Sequence, residues 1–111
     1  MANFSTFSGA TRVYYVVGDP IAQVKSPAGV TSLMRERRLD AICVPAQVAP
    51  ADLAAWIAAT TRMRNCDGII VTVPHKLAVL PLCAGTTSRA RSIGAVNVMR
   101  RDASGGWFGD M

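Results

Sequence analysis

Short apolar bursts, separated by Gly, Pro and polar residues, set the order of elements along the chain. Residues 13–17, Val-Tyr-Tyr-Val-Val, form a β-branched and aromatic run stopped by Gly18-Asp19-Pro20, the pattern of a strand buried on both faces that ends in a turn. Ser26-Pro27 has the form of a helix start, with a serine oxygen available to cap an early backbone N–H and proline at the first helical position. That helix is expected to run to about residue 38. A second strand begins over residues 41–44, and residues 51–61 carry Leu53, Trp56 and Ile57 at helical spacing, with Asp52 suited to the positive end of the helix. Asp67-Gly68 leads into a third strand, residues 69–73, which Pro74 ends. Short helical pieces follow, one within residues 77–83 interrupted by Pro81, the other capped at Thr87-Ser88 and reaching Ile93-Gly94. Residues 95–99 predict a fourth strand, residues 103–106 a turn, and residues 107–109 a returning hairpin strand. Strands alternating with helices predict an α/β fold, a mainly parallel sheet flanked by helices with a C-terminal antiparallel hairpin strand. Residues 13–111 are expected to form this domain and residues 1–12 an N-terminal tail.

Composition narrows the class. With 111 residues, 50% apolar and 17% charged, the chain fits one compact domain with a real core rather than a disordered segment. Its longest uncharged runs, such as residues 41–51 and 77–88, contain proline and fall short of the roughly 20 residues needed to cross a bilayer. No basic leader precedes an apolar stretch at the N-terminus, so a cytoplasmic location and no membrane partner are expected. Cys43, Cys66 and Cys83 share no C-x-x-C spacing; neither a disulfide framework nor a metal site is indicated, and they read as small core hydrophobes. The net charge of +5 suits contact with anions. Its densest cluster, Arg35, Arg37 and Arg38 around Glu36, has no aromatic residues interleaved, so a solvated helix face explains it and no nucleic-acid partner is expected.

Ligands of open α/β sheets gather at the carboxyl ends of strands, and three segments qualify. Residues 18–27 follow the first strand, Thr72-Val73-Pro74-His75-Lys76 closes the third, and Asn97 lies near the fourth. Ser26 and Thr72 offer hydroxyls, Asn97 an amide that donates and accepts, and Lys76 an amine that can give or take a proton. Plainer roles account for the same residues. A helix cap explains Ser26, strand propensity explains Thr72, a loop tie explains Asn97, and a surface cation explains Lys76. His75, the single histidine, has no second ligand or nucleophile spaced around it, which argues against a metal or a triad. Neither G-x-G-x-x-G nor the P-loop pattern occurs.

Taken together, these segments resemble the substrate-binding domain of the shikimate dehydrogenase family. Gly18-Asp19-Pro20-Ile21-Ala22 with Lys25-Ser26-Pro27 is similar to its Gly-Asn-Pro-Ile-x-x-Ser-x-Ser-Pro motif. Val71-Thr72-Val73-Pro74 with Lys76 is similar to Asn-Val-Thr-Val-Pro-x-Lys, Gly94-Ala95-Val96-Asn97 to Gly-Ala-x-Asn, and Gly109-Asp110 to the start of Gly-Asp-Asn-Thr-Asp. The resemblance implies the first domain of a two-domain oxidoreductase that transfers hydride between NADP and a hydroxy acid such as shikimate. It implies Lys76 as the catalytic lysine, Ser26 on the substrate carboxylate, and Thr72 and Asn97 holding hydroxyl and carboxylate groups. NADP belongs to a second, Rossmann domain outside this chain, so no cofactor is expected on these residues, and the two expected partners are a shikimate-like hydroxy acid and that missing domain.

Departures from the family pattern redirect the expectation. Val24 replaces a second carboxylate-binding serine, and a hydrogen bond lost to a charged group costs about 1.5–3 kcal/mol, so the substrate is expected to be a related cyclic or acyclic hydroxy acid. Ile70 replaces the usual asparagine, and His75 stands where phenylalanine is common. The chain stops just before the family's aspartate that pairs with the lysine. It therefore reads as an excised or truncated domain, inactive alone, with homo-oligomer formation through exposed apolar surface as a further expectation. The competing reading is a non-catalytic small-molecule-binding module on the same fold, and a third is an anion-binding or nucleic-acid-binding surface.

Overall fold

The structure, a computed structural model, describes residues 7–111. The first half of the expected tail, residues 1–6, and the leader reading made on them lie outside the described residues. The chain runs β1 (Arg12–Gly18), α1 (Ser26–Glu36), β2 (Ala41–Gln47), α2 (Leu53–Thr61), β3 (Cys66–Val71), β4 (Gly85–Thr86), α3 (Ser88–Ile93), β5 (Val98–Arg101) and β6 (Trp107–Asp110). One six-stranded sheet has the order β2-β1-β3-β5-β6-β4. The pairs β1/β2, β1/β3 and β4/β6 are parallel; β3/β5 and β5/β6 are antiparallel. The expected α/β fold with an antiparallel C-terminal hairpin is what forms, with β5 also antiparallel to β3.

The unbroken apolar run of β1 has the cause inferred from its pattern. Val16 and Val17 are both wholly buried, Val16 in a smaller core with Ile21, Met34, Ala41 and Cys43 under α1, and Val17 in a larger core with Leu53, Ile57, Ile69, Val71, Met99 and Trp107. Successive strand residues point to opposite faces, so a central strand covered on both sides must be apolar throughout. Cys43 and Cys66 are buried free thiols, and burial pushes the Cys43 thiol up to about 11, which keeps it a neutral core side chain.

Local boundaries differ from the sequence reading in several places, one being β3, which spans Cys66–Val71 and not residues 69–73. Residue 26 is not the cap of α1: Lys25 holds that position and no side chain caps the helix, so Ser26 is the first helical residue. The helix also stops at Glu36, with Arg38 turned to φ 61° to enter β2. The fourth strand begins at Val98, not at residue 95, because the backbone just before it is used elsewhere. Gly94 adopts φ 81°, Ala95 N–H donates to Ala90 O at 3.2 Å, and Val96 N–H donates to Lys76 O at 2.8 Å. By contrast, the α3 cap is as read: Thr87 Oγ1 accepts from Ala90 N–H at 3.1 Å, and Gly94 ends the helix in the left-handed region that favours glycine.

At the free margin of the sheet, α1 shields β2. The Thr31 hydroxyl accepts from Cys43 N–H at 2.9 Å and donates to Cys43 O at 3.3 Å, and two residues on, at the next outward position, Pro45 has no N–H to present. A Thr31→Val change, nearly isosteric, strands both Cys43 groups and is expected to cost about 1–2 kcal/mol, read as a lower urea midpoint with unchanged slope.

Candidate functional site

The carboxyl ends of β1 and β3 are joined beyond their ladder. Thr72 N–H donates to Val17 O at 3.0 Å, and Asp19 N–H donates to Val73 O at 3.1 Å. The peptide bonds Asp19–Pro20 and Val73–Pro74 are both cis. Gly18 lies where the two segments touch. A Cβ there would stand 2.6 Å from Thr72 Cγ2 and 3.0 Å from Val73 O, so Gly18→Ala forces the two segments apart. The expected loss is about 1–3 kcal/mol, seen by urea unfolding, with the largest amide shifts at Thr72 and Val73 in proton–nitrogen spectra.

Further bonds bring in the remaining segments. Lys76 O accepts from Val96 N–H at 2.8 Å, Asn97 O accepts from Val71 N–H at 2.9 Å, and Asn97 N–H donates to Asp110 O at 2.9 Å. Asp110 is itself braced, its Oδ1 accepting from Thr87 Oγ1 at 2.8 Å and from Met111 N–H at 2.7 Å. The Thr87 hydroxyl first, then the Met111 amide, holds the Asp110 carboxyl below the usual carboxylate range. Thr72, Lys76 and Asn97 therefore belong to one backbone-bonded unit at one end of the sheet. Ser26 is exposed at the start of α1, on the loop leaving β1.

Among the described residues, the polar tips of these side chains are uncommitted. Thr72, Lys76 and Asn97 are partly buried, yet among the described residues no hydrogen bond uses Thr72 Oγ1, Lys76 Nζ, the Asn97 carboxamide or Ser26 Oγ, and no ion pair uses Lys76. Asn97 ties its loop through its backbone. Ser26 does not cap α1. The plainer roles for these two side chains thus fall away, leaving a hydroxyl, an amine and an amide on a fixed frame. Among the described residues no group of three or more His, Cys, Asp and Glu could hold a metal ion, and no helix is long and apolar enough to cross a membrane.

Two departures read from the sequence share a location. Val24 and Ile70 both pack against the small core of Val16, Ile21, Met34, Ala41 and Cys43. Val24 also lines an apolar hollow of about 440 Å³ with Ile21, Lys25, Pro27 and Pro45; Thr72, Lys76 and Asn97 are not among its walls. His75 is wholly buried, with Nε2 2.7 Å from Val48 O, a link that spacing could not reveal because Val48 lies 27 positions away.

The family model for the shikimate dehydrogenase substrate binding domain matches residues 16–99, a span that holds all three segments described above. The chain belongs to that family. Relatives by sequence include the shikimate dehydrogenase (NADP(+)) of Microcystis aeruginosa, 36% identical over 102 residues, which cover 92% of this chain and 35% of that one. Among solved structures, the shikimate dehydrogenase of Aquifex aeolicus superposes with a TM-score of 0.89 at 28% identity, covering 95% of this chain and 39% of that one. The 5-ketofructose reductase of Gluconobacter sp. strain CHM43 superposes with a TM-score of 0.84 at 27% identity, covering 90% and 35%. The chain thus spans about a third of the length of the curated shikimate dehydrogenases it matches. Fold, motif order and family agree on a shikimate dehydrogenase substrate-binding domain.

Proposed function

We propose that this chain is the substrate-binding part of an NADP-linked oxidoreductase of shikimate-dehydrogenase type, acting on a hydroxy acid related to shikimate. The observation that carries the reading is the set of polar groups on Thr72, Lys76 and Asn97, uncommitted among the described residues, at the sheet end where β3 finishes and the antiparallel β5 begins. Oxidising an alcohol by hydride loss requires the hydroxyl proton to leave, and Lys76 is the group here that can take it and return it in the reverse direction. Thr72 and Asn97 orient the hydroxyl-bearing face of the substrate, and Ser26 donates to its carboxylate. Thr72, Lys76 and Asn97, held by backbone bonds to neighbouring segments, need little reorganisation when substrate arrives.

The residues present do not fit the dinucleotide phosphates, since no Gly-rich loop occurs in the chain; NADP, the hydride acceptor, is assigned to the remainder of the longer protein. Val73 and Leu77 follow Thr72 and Lys76 directly, and Val98 follows Asn97, with 59%, 70% and 42% of their surface exposed. This apolar rim suits closure by that remainder. A cytoplasmic location goes with the reading.

A binding module without turnover is the second reading, favoured by Val24, whose apolar side chain supplies no donor for a carboxylate. The two are separated by assaying the longer protein with NADP against shikimate, quinate and simpler hydroxy acids, alongside NMR titration of the 111-residue chain. NADPH formation with shifts centred on Ser26, Thr72, Lys76 and Asn97 supports the enzyme. Shifts without turnover support the module, and silence in both overturns the shared site.

A further inference from the structure

We propose that His75 is the positioning residue for Lys76, a side-chain pin that fixes the lysine's backbone across the ends of four strands. Four contacts form the belt. Just beyond β2, Val48 N–H donates to Gly18 O at the end of β1 at 3.2 Å. Val48 O faces His75 Nε2 at 2.7 Å. His75 N–H donates to Thr72 O at 3.0 Å, and on the β5 side Lys76 O accepts from Val96 N–H at 2.8 Å. The lysine's peptide units are thus gripped from opposite sides of β3, by a side chain toward β2 and by a backbone bond toward β5. His75 supplies the one side-chain link in this belt.

Its chemistry follows from the partner. A carbonyl oxygen only accepts, so Nε2 carries a proton and donates it to Val48 O. Among the described residues, Nδ1 is buried and has no hydrogen-bond partner. The ring therefore acts as a donor to Val48 O, because among the described residues its second nitrogen makes no bond that would explain a polar side chain wholly shielded from water. A phenyl ring fills similar space and leaves Val48 O unpaired. A glutamine carries an amide N–H at the same bond count from Cα and can restore the contact.

The inference rests on the proposed role of Lys76, and the test separates the two. His75→Phe and His75→Gln are made in the 111-residue chain and in the longer protein, with Tm measured for each. In the chain, amide hydrogen exchange should rise about tenfold at Val48 and Val96 in the Phe variant and return near wild type in the Gln variant. The Ala90 amide, on α3 and outside the belt, should change little in both. In the longer protein, the Phe variant should lose about tenfold in kcat with KM for the hydroxy acid within twofold, and Gln should recover most of it. Uniform acceleration of exchange, or unchanged kcat in a folded Phe variant whose Lys76→Ala counterpart is inactive, overturns the positioning role. Full turnover in Lys76→Ala instead overturns the function on which it rests, and the pin with it.

Discussion

Replacing Lys76 with alanine in the longer protein is expected to lower kcat by about a thousandfold, the middle of the range for a positioned general acid or base. The fold should be untouched. Among the described residues Lys76 Nζ makes no ion pair or hydrogen bond, so its removal carries no structural cost beyond the few tenths of a kcal/mol typical of surface changes. Lys76→Arg sharpens the result. The guanidinium keeps the positive charge but does not release a proton near neutral pH, so substrate binding should survive while turnover falls almost as far as with alanine. If arginine instead supports near-normal turnover, the lysine serves as a charge and not as a proton carrier. Stopped-flow measurement of NADPH formation, paired with a Tm for each variant, decides between these.

Arg101→Met is expected to be the most destabilising single change. All five N–H donors of this guanidinium are used: Nε donates to Cys66 O at 3.0 Å, one terminal nitrogen to Thr61 O and Gly105 O at 3.0 and 2.8 Å, the other to Thr60 O and Met63 O at 2.8 and 2.7 Å. The group also lies 3.9 Å from the centre of the buried Trp107 ring. It closes the C-terminal end of α2, where the unpaired carbonyls and the helix dipole favour a cation, and bonds that end to β3 and to the β5–β6 turn. Methionine keeps most of the stem and none of the donors. With several part-buried carbonyls left unpaired, the loss should be about 3–5 kcal/mol, a drop in Tm of roughly 15–25 °C for a domain of this size. Lysine should recover little, having three donors on a single nitrogen and no planar fork. Scanning calorimetry of the three proteins checks the order; a Met variant within a few degrees of wild type contradicts it.

Much of this architecture was legible in the amino-acid order because local rules and global packing agree there. The β-branched runs of β1 and β3 lie in the doubly covered centre of the sheet, Gly18, Pro20 and Pro74 stand at the turns, and Thr87 and Gly94 bracket α3. Where the reading slipped, the backbone's hydrogen bonding and conformation had overruled a local preference. Ala95 and Val96 have strand character, but their amides are taken by Ala90 and Lys76, so β5 starts later. Ser26 looked like a cap because Ser-Pro is a common helix opening, yet the backbone places Lys25 there. For the candidate site, three strand-end segments were found by position, and Thr72, Lys76 and Asn97 are joined as one unit. The His75 link to Val48, the Thr87 brace on Asp110 and the five-carbonyl grip of Arg101 were invisible, since all but the Arg101–Gly105 contact join residues far apart in sequence. Arg101 counted only as one positive charge until its neighbours were known.

The shielded margin at β2 has a wider meaning. A foreign strand seeking to zip onto this sheet would meet, at the middle of that border, a backbone amide already engaged by a threonine and then an imino acid with nothing to offer; at the opposite border it would find two residues, too few to template a ladder. Stacking of molecules into fibres by sheet extension is thereby discouraged while the chain stays folded. Whatever associates with it must be recognised through side chains and shape and not by extending the sheet.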